Sequence, residues 1–230
     1  MGLSVVDFMA GTYMALGLVS AVIGARETGL GRDVDVNLYD TALYNLSYLS
    51  AWALNTDYDP KRIARSAHPS LVPCQLYRTA DGWIFIMCNK EKFWTSLCCE
   101  IGNPDLAAEP QYKTFKHRLA ERDALTVVLD RELSQRTTQD WLTRLQGKVP
   151  VAPVRTPREA LHDARQDKSG KVTDVWLQNG AAYQLLNSPI QHGNTKARAC
   201  SPMGFDTKDI LREAGYSDQE ILEFQNANLI

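Results

Sequence analysis

The stretch Arg26-Glu27-Thr28-Gly29-Leu30-Gly31-Arg32-Asp33-Val34-Asp35-Val36-Asn37-Leu38-Tyr39-Asp40 changes pattern three times. Before it, Gly11, Ala15, Leu18, Val22 and Ala25 recur at steps of three and four, so a helix is expected over residues 7–26. Gly29 is placed to close that helix, because glycine enters the left-handed conformation at little cost. Over residues 33–38 polar and apolar side chains alternate, the period of a half-covered strand. A second helix is expected over 39–54. Helix, strand and helix make an α/β fragment. A lone strand leaves its backbone donors and acceptors unpaired, so the pattern also calls for a sheet partner from elsewhere.

Working outward, residues 56–70 carry Asp57, Asp59-Pro60, Lys61, Arg62, Arg65 and His68-Pro69, a polar, proline-punctuated stretch expected to be a linker. Beyond it, apolar runs over 71–79 and 83–88 flank Thr79-Ala80-Asp81-Gly82, whose Asp-Gly step signals a β-hairpin. Helical patterns cover 90–100, 118–133 and 138–146, with Gly147 as a stop, and 147–154 reads as extended. Residues 71–155 thus form a small α+β domain. After Thr156 the expectation is a short helix, then two strands within 172–186 with a turn at Asn179-Gly180. A polar stretch to Ser201 and a terminal helical region follow.

Composition narrows the function classes. Twenty-five Lys and Arg against 27 Asp and Glu give a net charge of −2, with no basic excess to displace phosphate counterions, so no nucleic-acid partner is expected. The five cysteines are odd in number and include the neighbours Cys98-Cys99, both expected as buried packing. They argue against a disulfide framework and for a reducing cytoplasm. No CxxC pair occurs and His68, His117, His162 and His192 are scattered, so no metal site is expected. Residues 8–25 run without a charge for the length of a membrane span. They are diluted by Gly11, Thr12, Gly17, Ser20 and Gly24 and preceded by Asp7 rather than by Lys or Arg, so a soluble packed helix is expected, with no membrane partner. Val6 stands where a myristoylation signal wants Ser or Thr, so no lipid anchor is expected either.

Asp7 begins the apolar helix, where free amides and the helix dipole favour an anion. Such a carboxylate can cap the helix or serve as a nucleophile, and physics alone leaves both open. Trp83, Trp94 and Trp141 lie in apolar periodic contexts and are expected in the core.

The stretches Asp7-Phe8-Met9-Ala10-Gly11, Gly17-Leu18-Val19-Ser20-Ala21 and Arg26 to Asp40 resemble the central block of the class III CoA-transferases, the CaiB/BaiF family of formyl-CoA transferase and carnitine CoA-transferase. His68-Pro69-Ser70-Leu71-Val72-Pro73-Cys74-Gln75-Leu76-Tyr77-Arg78-Thr79-Ala80-Asp81-Gly82 resembles the opening of that family's small domain, and Trp141 to Val154 its close. The resemblance implies an α/β fold: an incomplete Rossmann-like large domain at 1–55, a linker at 56–70 and a small α+β domain at 71–155. Residues 156–230 would return to the large domain. It implies an interlocked homodimer, with coenzyme A as substrate, carried as an acyl-CoA, and a small carboxylic acid as acceptor.

Asp7 lies 21 residues before Thr28, the family's spacing for its catalytic aspartate. By resemblance its carboxylate attacks an acyl-CoA to give a mixed anhydride and then an aspartyl-CoA thioester. Arg26 and Arg32 are candidates for the CoA phosphates, and His68 and Gln75 for substrate contacts. The sequence also departs from the family. The family's upstream half is not part of it, so a separate N-terminal half is a further expected partner. Ser66-Ala67-His68-Pro69-Ser70-Leu71 replaces the glycine-rich loop of formyl-CoA transferase, and Pro202-Met203-Gly204-Phe205-Asp206-Thr207 lacks the family's Glu-His pair. Two alternatives stand beside transfer: an α-methylacyl-CoA racemase-like enzyme, whose acid/base histidine lies upstream, and a non-catalytic member dependent on a second chain.

Overall fold

An apolar run without proline forms one long helix. α1 spans Val5–Thr28 in the computed structural model, which describes residues 2–177, 180–190 and 199–230. Gly29 ends it at φ +73°, its N–H donating to the carbonyl of Ala25 at 2.8 Å. None of its residues is buried, and with a mean hydropathy of 1.7 over an 18-residue window it is long and apolar enough to cross a membrane by length and composition. The chain divides into two compact units, Met1–Pro153 and Val154–Ile230.

Residues 33–38 do not form the expected strand. The segment before Leu38 has no regular structure, and both sheets among the described residues lie downstream. What half-covers this segment is α1. A Cβ built on Gly17 would fall 2.8 Å from Val34 Cγ1, and one on Gly24 would fall 3.9 Å from Arg32 Nη2. The alternation therefore records cover by a helix rather than pairing in a ladder.

The expected second helix is two. α2 (Leu38–Tyr44) starts at Asn37, whose side chain accepts from Asp40 N–H, and α3 (Tyr48–Asn55) follows a break. At the break Ser47 has φ +52°, and Asn45 turns its side chain to other work: Nδ2 donates to Thr41 O, and Oδ1 accepts from the Tyr13 hydroxyl at 3.2 Å. Tyr13 also packs edge-on against Tyr44, fastening α2 to α1.

Strands β1 (Cys74–Arg78) and β2 (Trp83–Met87) form the expected hairpin, paired antiparallel from Cys74↔Met87 to Arg78↔Trp83. β2 continues onto β3 (Val151–Pro153). α4 (Glu91–Glu100), α5 (Phe115–Ala120), α6 (Arg122–Leu133) and α7 (Thr138–Leu145) complete this part. The single helix expected over 118–133 is broken at Glu121 (φ −102°, ψ 24°), and Thr114 caps α5 by accepting from His117 N–H. Asp81 in the hairpin loop accepts from Thr138 N–H at 2.8 Å and so fixes the start of α7, while Gly147 (φ +73°) follows its end.

The core lies where Tyr77, Ile84 and Ile86 of the sheet meet Leu125, Leu129 and Leu133, a stripe at i, i+4 and i+8 on α6. Truncating one such leucine to alanine costs about 2–5 kcal/mol. Trp94 and Trp141 are buried as expected, whereas Trp83 is only partly covered and carries Arg78 and Arg65 over its ring. Arg118 is fully buried; it donates to Val72 O, Tyr112 O and Glu91 Oε2 at 2.8–2.9 Å, between Trp94 and Phe115. Cys98 is buried, but Cys99 is exposed. Trp94, Leu97 and Cys98 form the buried stripe of α4 at i, i+3 and i+4, and Cys99 points about 100° beyond Cys98, off that stripe. All five cysteines are free thiols. Burial pushes the Cys88 thiol far up and that of Cys98 up to about 12.

In the second unit, α8 (Pro157–Gln166) opens with a reciprocal cap between Thr156 and Glu159. β4 (Val172–Trp176) and β5 (Ala182–Leu186) pair antiparallel. The expected turn at Asn179-Gly180 is described only from Gly180 (φ +80°), since Asn179 lies outside the described residues, as do His192 and most of the polar stretch before Ser201. α9 (Thr207–Glu213) and α10 (Asp218–Asn226) form the helical end.

Candidate active site

Asp7 is the first-turn acid of α1. Ser4, the preceding cap residue, makes no side-chain bond to the helix. Asp7 is exposed, and its carboxylate has no hydrogen-bond or ion-pair partner among the described residues. An unengaged anion at a helix start is available for chemistry.

Arg26 lies in the last turn of the same helix and is exposed. At about 1.5 Å per residue it sits roughly 28 Å along α1 from Asp7. Arg32 is exposed as well and lies beside Gly24. Asp7 and the two arginines therefore occupy opposite ends of one helix, and only a long ligand could touch both ends.

His68 lies in a loop that returns toward α3. Its Nδ1 accepts from the N–H groups of Ser70 and Leu71, both at 3.1 Å. That lone pair is thus engaged and the ring proton sits on Nε2, 3.3 Å from the Tyr48 hydroxyl, with the two rings stacked. Burial, and then the nearby Arg122 guanidinium, hold the imidazole below its ordinary value, so His68 is a neutral N–H donor. Trp52 and Tyr58 continue the aromatic surface from Tyr48. Through α3 and Asn45 this cluster connects to Tyr13, six residues past Asp7 on α1.

Gln75 differs from the other candidates. It is buried, and its Nε2 donates to Thr126 Oγ1 at 2.9 Å inside the sheet–helix packing. Three polar residues of α6 that the sequence reading did not single out converge on the His68 loop and β1. Arg122 donates to the carbonyls of His68 (2.7 Å) and Pro69 (3.3 Å), Thr126 holds Gln75, and Asp130 pairs with both terminal nitrogens of Arg65. Their spacing of four, beside the leucine stripe, was the available signal. Among the described residues no three of His, Cys, Asp and Glu converge as a metal site would require.

The profile of CoA-transferase family III matches residues 1–207. The acetyl-CoA:oxalate CoA-transferase of Acetobacter aceti is 32% identical over 69% of this chain and 41% of its own length. The succinyl-CoA:glutarate CoA-transferase of Homo sapiens is 25% identical over all of this chain and 53% of its own. The crystal structure of a CAIB/BAIF family protein from Brucella suis superposes with a TM-score of 0.72 at 27% identity, over 93% of this chain and 56% of that one. The chain belongs to CoA-transferase family III and has the mixed helix-and-sheet fold of that family. It spans about half the length of the relatives it matches.

Proposed function

We propose that the protein moves CoA from an acyl-CoA donor to a small carboxylic acid, with Asp7 as the nucleophile. The observation that carries this reading is the exposed, unpartnered Asp7 carboxylate at the start of α1, in a chain of this family. Relatives named as transferases for oxalate and glutarate support a carboxylate acceptor and favour transfer over racemisation.

The sequence of steps balances without a redox partner. Asp7 attacks the thioester carbonyl and expels CoA as thiolate, giving a mixed anhydride. The thiolate attacks the aspartyl carbonyl and releases the donor acid, leaving an aspartyl-CoA thioester. The acceptor carboxylate then displaces the thiolate, forming a second anhydride. Finally the thiolate takes the acceptor's acyl group and frees Asp7. Each addition places negative charge on an oxygen, which preorganised N–H donors stabilise. His68, neutral and with its proton on Nε2, is proposed as one such donor toward the substrate. Arg26 and Arg32 are proposed to meet the CoA phosphates from the far end of α1. Gln75, closed off by Thr126, is proposed to support the site from behind rather than to touch substrate.

The unburied apolar helix α1 supports cover by protein, from a second copy of the chain or from an N-terminal half, rather than by lipid. A cytoplasmic enzyme fits the five free thiols. The test is intact-mass spectrometry of turnover-competent protein after incubation with acyl-CoA, with and without hydroxylamine. A hydroxylamine-sensitive CoA adduct is expected in the wild type and not in Asp7→Asn or Asp7→Ala; an adduct that persists in both variants would put the covalent chemistry elsewhere.

A further inference from the structure

The loop that carries His68 is held in an unfavourable shape. Arg65 and Ser66 are consecutive non-glycine residues in the left-handed region, at φ +60° and +52°. Each such residue costs on the order of 1 kcal/mol or more, and the conformation persists only where its surroundings over-determine it. Here they do. The Arg65 guanidinium makes a two-pronged ion pair with Asp130, at 2.8 and 2.7 Å, and Asp130 also accepts from Arg78 N–H at 3.0 Å. One carboxylate thus ties the strained residue to β1. Arg122 gives one nitrogen to the carbonyls of His68 and Pro69, and His68 N–H donates to Cys74 O at 2.9 Å. The outcome of these ties is the ring geometry described above, with Nδ1 occupied by two backbone donors and Nε2–H facing Tyr48.

We infer that Arg122 and Asp130 are positioning residues, which hold the strained segment 65–69 so that the Nε2–H of His68 is presented in one orientation for the reaction. The inference rests on the proposed role of His68 as a donor to substrate. Neither residue needs to touch substrate: Arg122 acts on the loop's carbonyls and Asp130 on its strained start. The ionisable groups facing the imidazole are Tyr48 from α3 and Arg122 from α6. Arg122 has a second role there, because a cation beside the ring opposes a second proton on it.

The test uses Asp130→Asn, which keeps an acceptor but loses the charge, and Arg122→Lys, which keeps the charge but on a shorter side chain whose ammonium stops short of the Nη2 position shared by the two carbonyls. Long-range proton–nitrogen spectra of the imidazoles in the full chain report the His68 tautomer, with His68 assigned by its loss in His68→Ala. A single Nε2–H tautomer is expected in the wild type and a mixture in both variants. In parallel, kcat and KM are compared in a double-mutant cycle on turnover-competent protein. Asp130→Asn is expected to lower kcat about tenfold when His68 is present and less than about twofold in the His68→Ala background, with KM nearly unchanged. An unchanged imidazole pattern in both variants, or an equal loss in both backgrounds, overturns the inference. Full activity in His68→Ala overturns the substrate role of His68 instead, and the spectra still decide whether Arg122 and Asp130 hold the ring.

Discussion

A Cβ at position 17 would lie 2.8 Å from Cγ1 of Val34, so the segment after α1 returns along that helix at a distance only glycine permits. Gly17→Ala gains about 1 kcal/mol of helix propensity and loses about 1–3 to overpacking against Val34, whose β-branched side chain has few χ1 settings to retreat to. Net destabilisation is expected in urea unfolding. In a Val34→Ala background the same change is expected to stabilise, as is Gly11→Ala, where nothing lies within 4 Å. Equal effects of Gly17→Ala in both backgrounds would refute the contact.

Arg118→Met should be among the most damaging single changes. The guanidinium is fully buried and supplies donors to Val72 O and Tyr112 O, which methionine leaves unpaired. A loss of about 3–5 kcal/mol is expected by chemical denaturation. Glu91→Gln should cost less, because the Glu91 side chain is half exposed, although the one amide oxygen can replace only one of the two carboxylate acceptors that serve Arg118 and the Phe115 N–H. Comparable losses from the two changes would contradict this account.

Ser47 sits between α2 and α3 at φ +52°, and its side chain makes no cap bond. Glycine tolerates that backbone without strain, so Ser47→Gly is expected to raise stability by about 1 kcal/mol. A measured loss of stability would show that the serine is not strained there.

His68 links folding to pH. Its value is lowered in the folded protein, by burial first and Arg122 second, so the folded state favours the neutral ring. The stability this contributes is present above the ordinary histidine range near 6.5 and is lost as pH falls through the lower folded value. Protonation at Nδ1 would also displace the Ser70 and Leu71 N–H donors. Urea midpoints measured from pH 7.5 to 4.5 should therefore fall more steeply in the wild type than in His68→Gln, and parallel curves would refute the linkage.

Parts of this molecule were legible because the signal is local. Gly29 and Gly147 stop helices through their own backbone freedom, and the Asp81-Gly82 step closes a hairpin within four residues. The segment over 33–38 misled because alternation reports which side chains are covered, not what covers them; Val34 lies against Gly17 of a helix. The break before Ser47 depends on Asn45 reaching Tyr13, 32 residues away. The same holds at the site. His68 and Asp7 stood out by themselves, but Arg122 and Asp130 show their roles only through partners 54 and 65 positions off.

The distribution of thiols makes the protein its own ruler. Cys74, Cys88 and Cys98 are buried, and burial raises the value of each, so at neutral pH they stay protonated and shielded from alkylating dyes. Cys99, near the end of α4, and Cys200, in the second unit, are exposed. A maleimide donor and acceptor would therefore settle on one site in each unit with no engineered cysteine, and energy transfer between them would follow how the two units respond when an acyl-CoA is added.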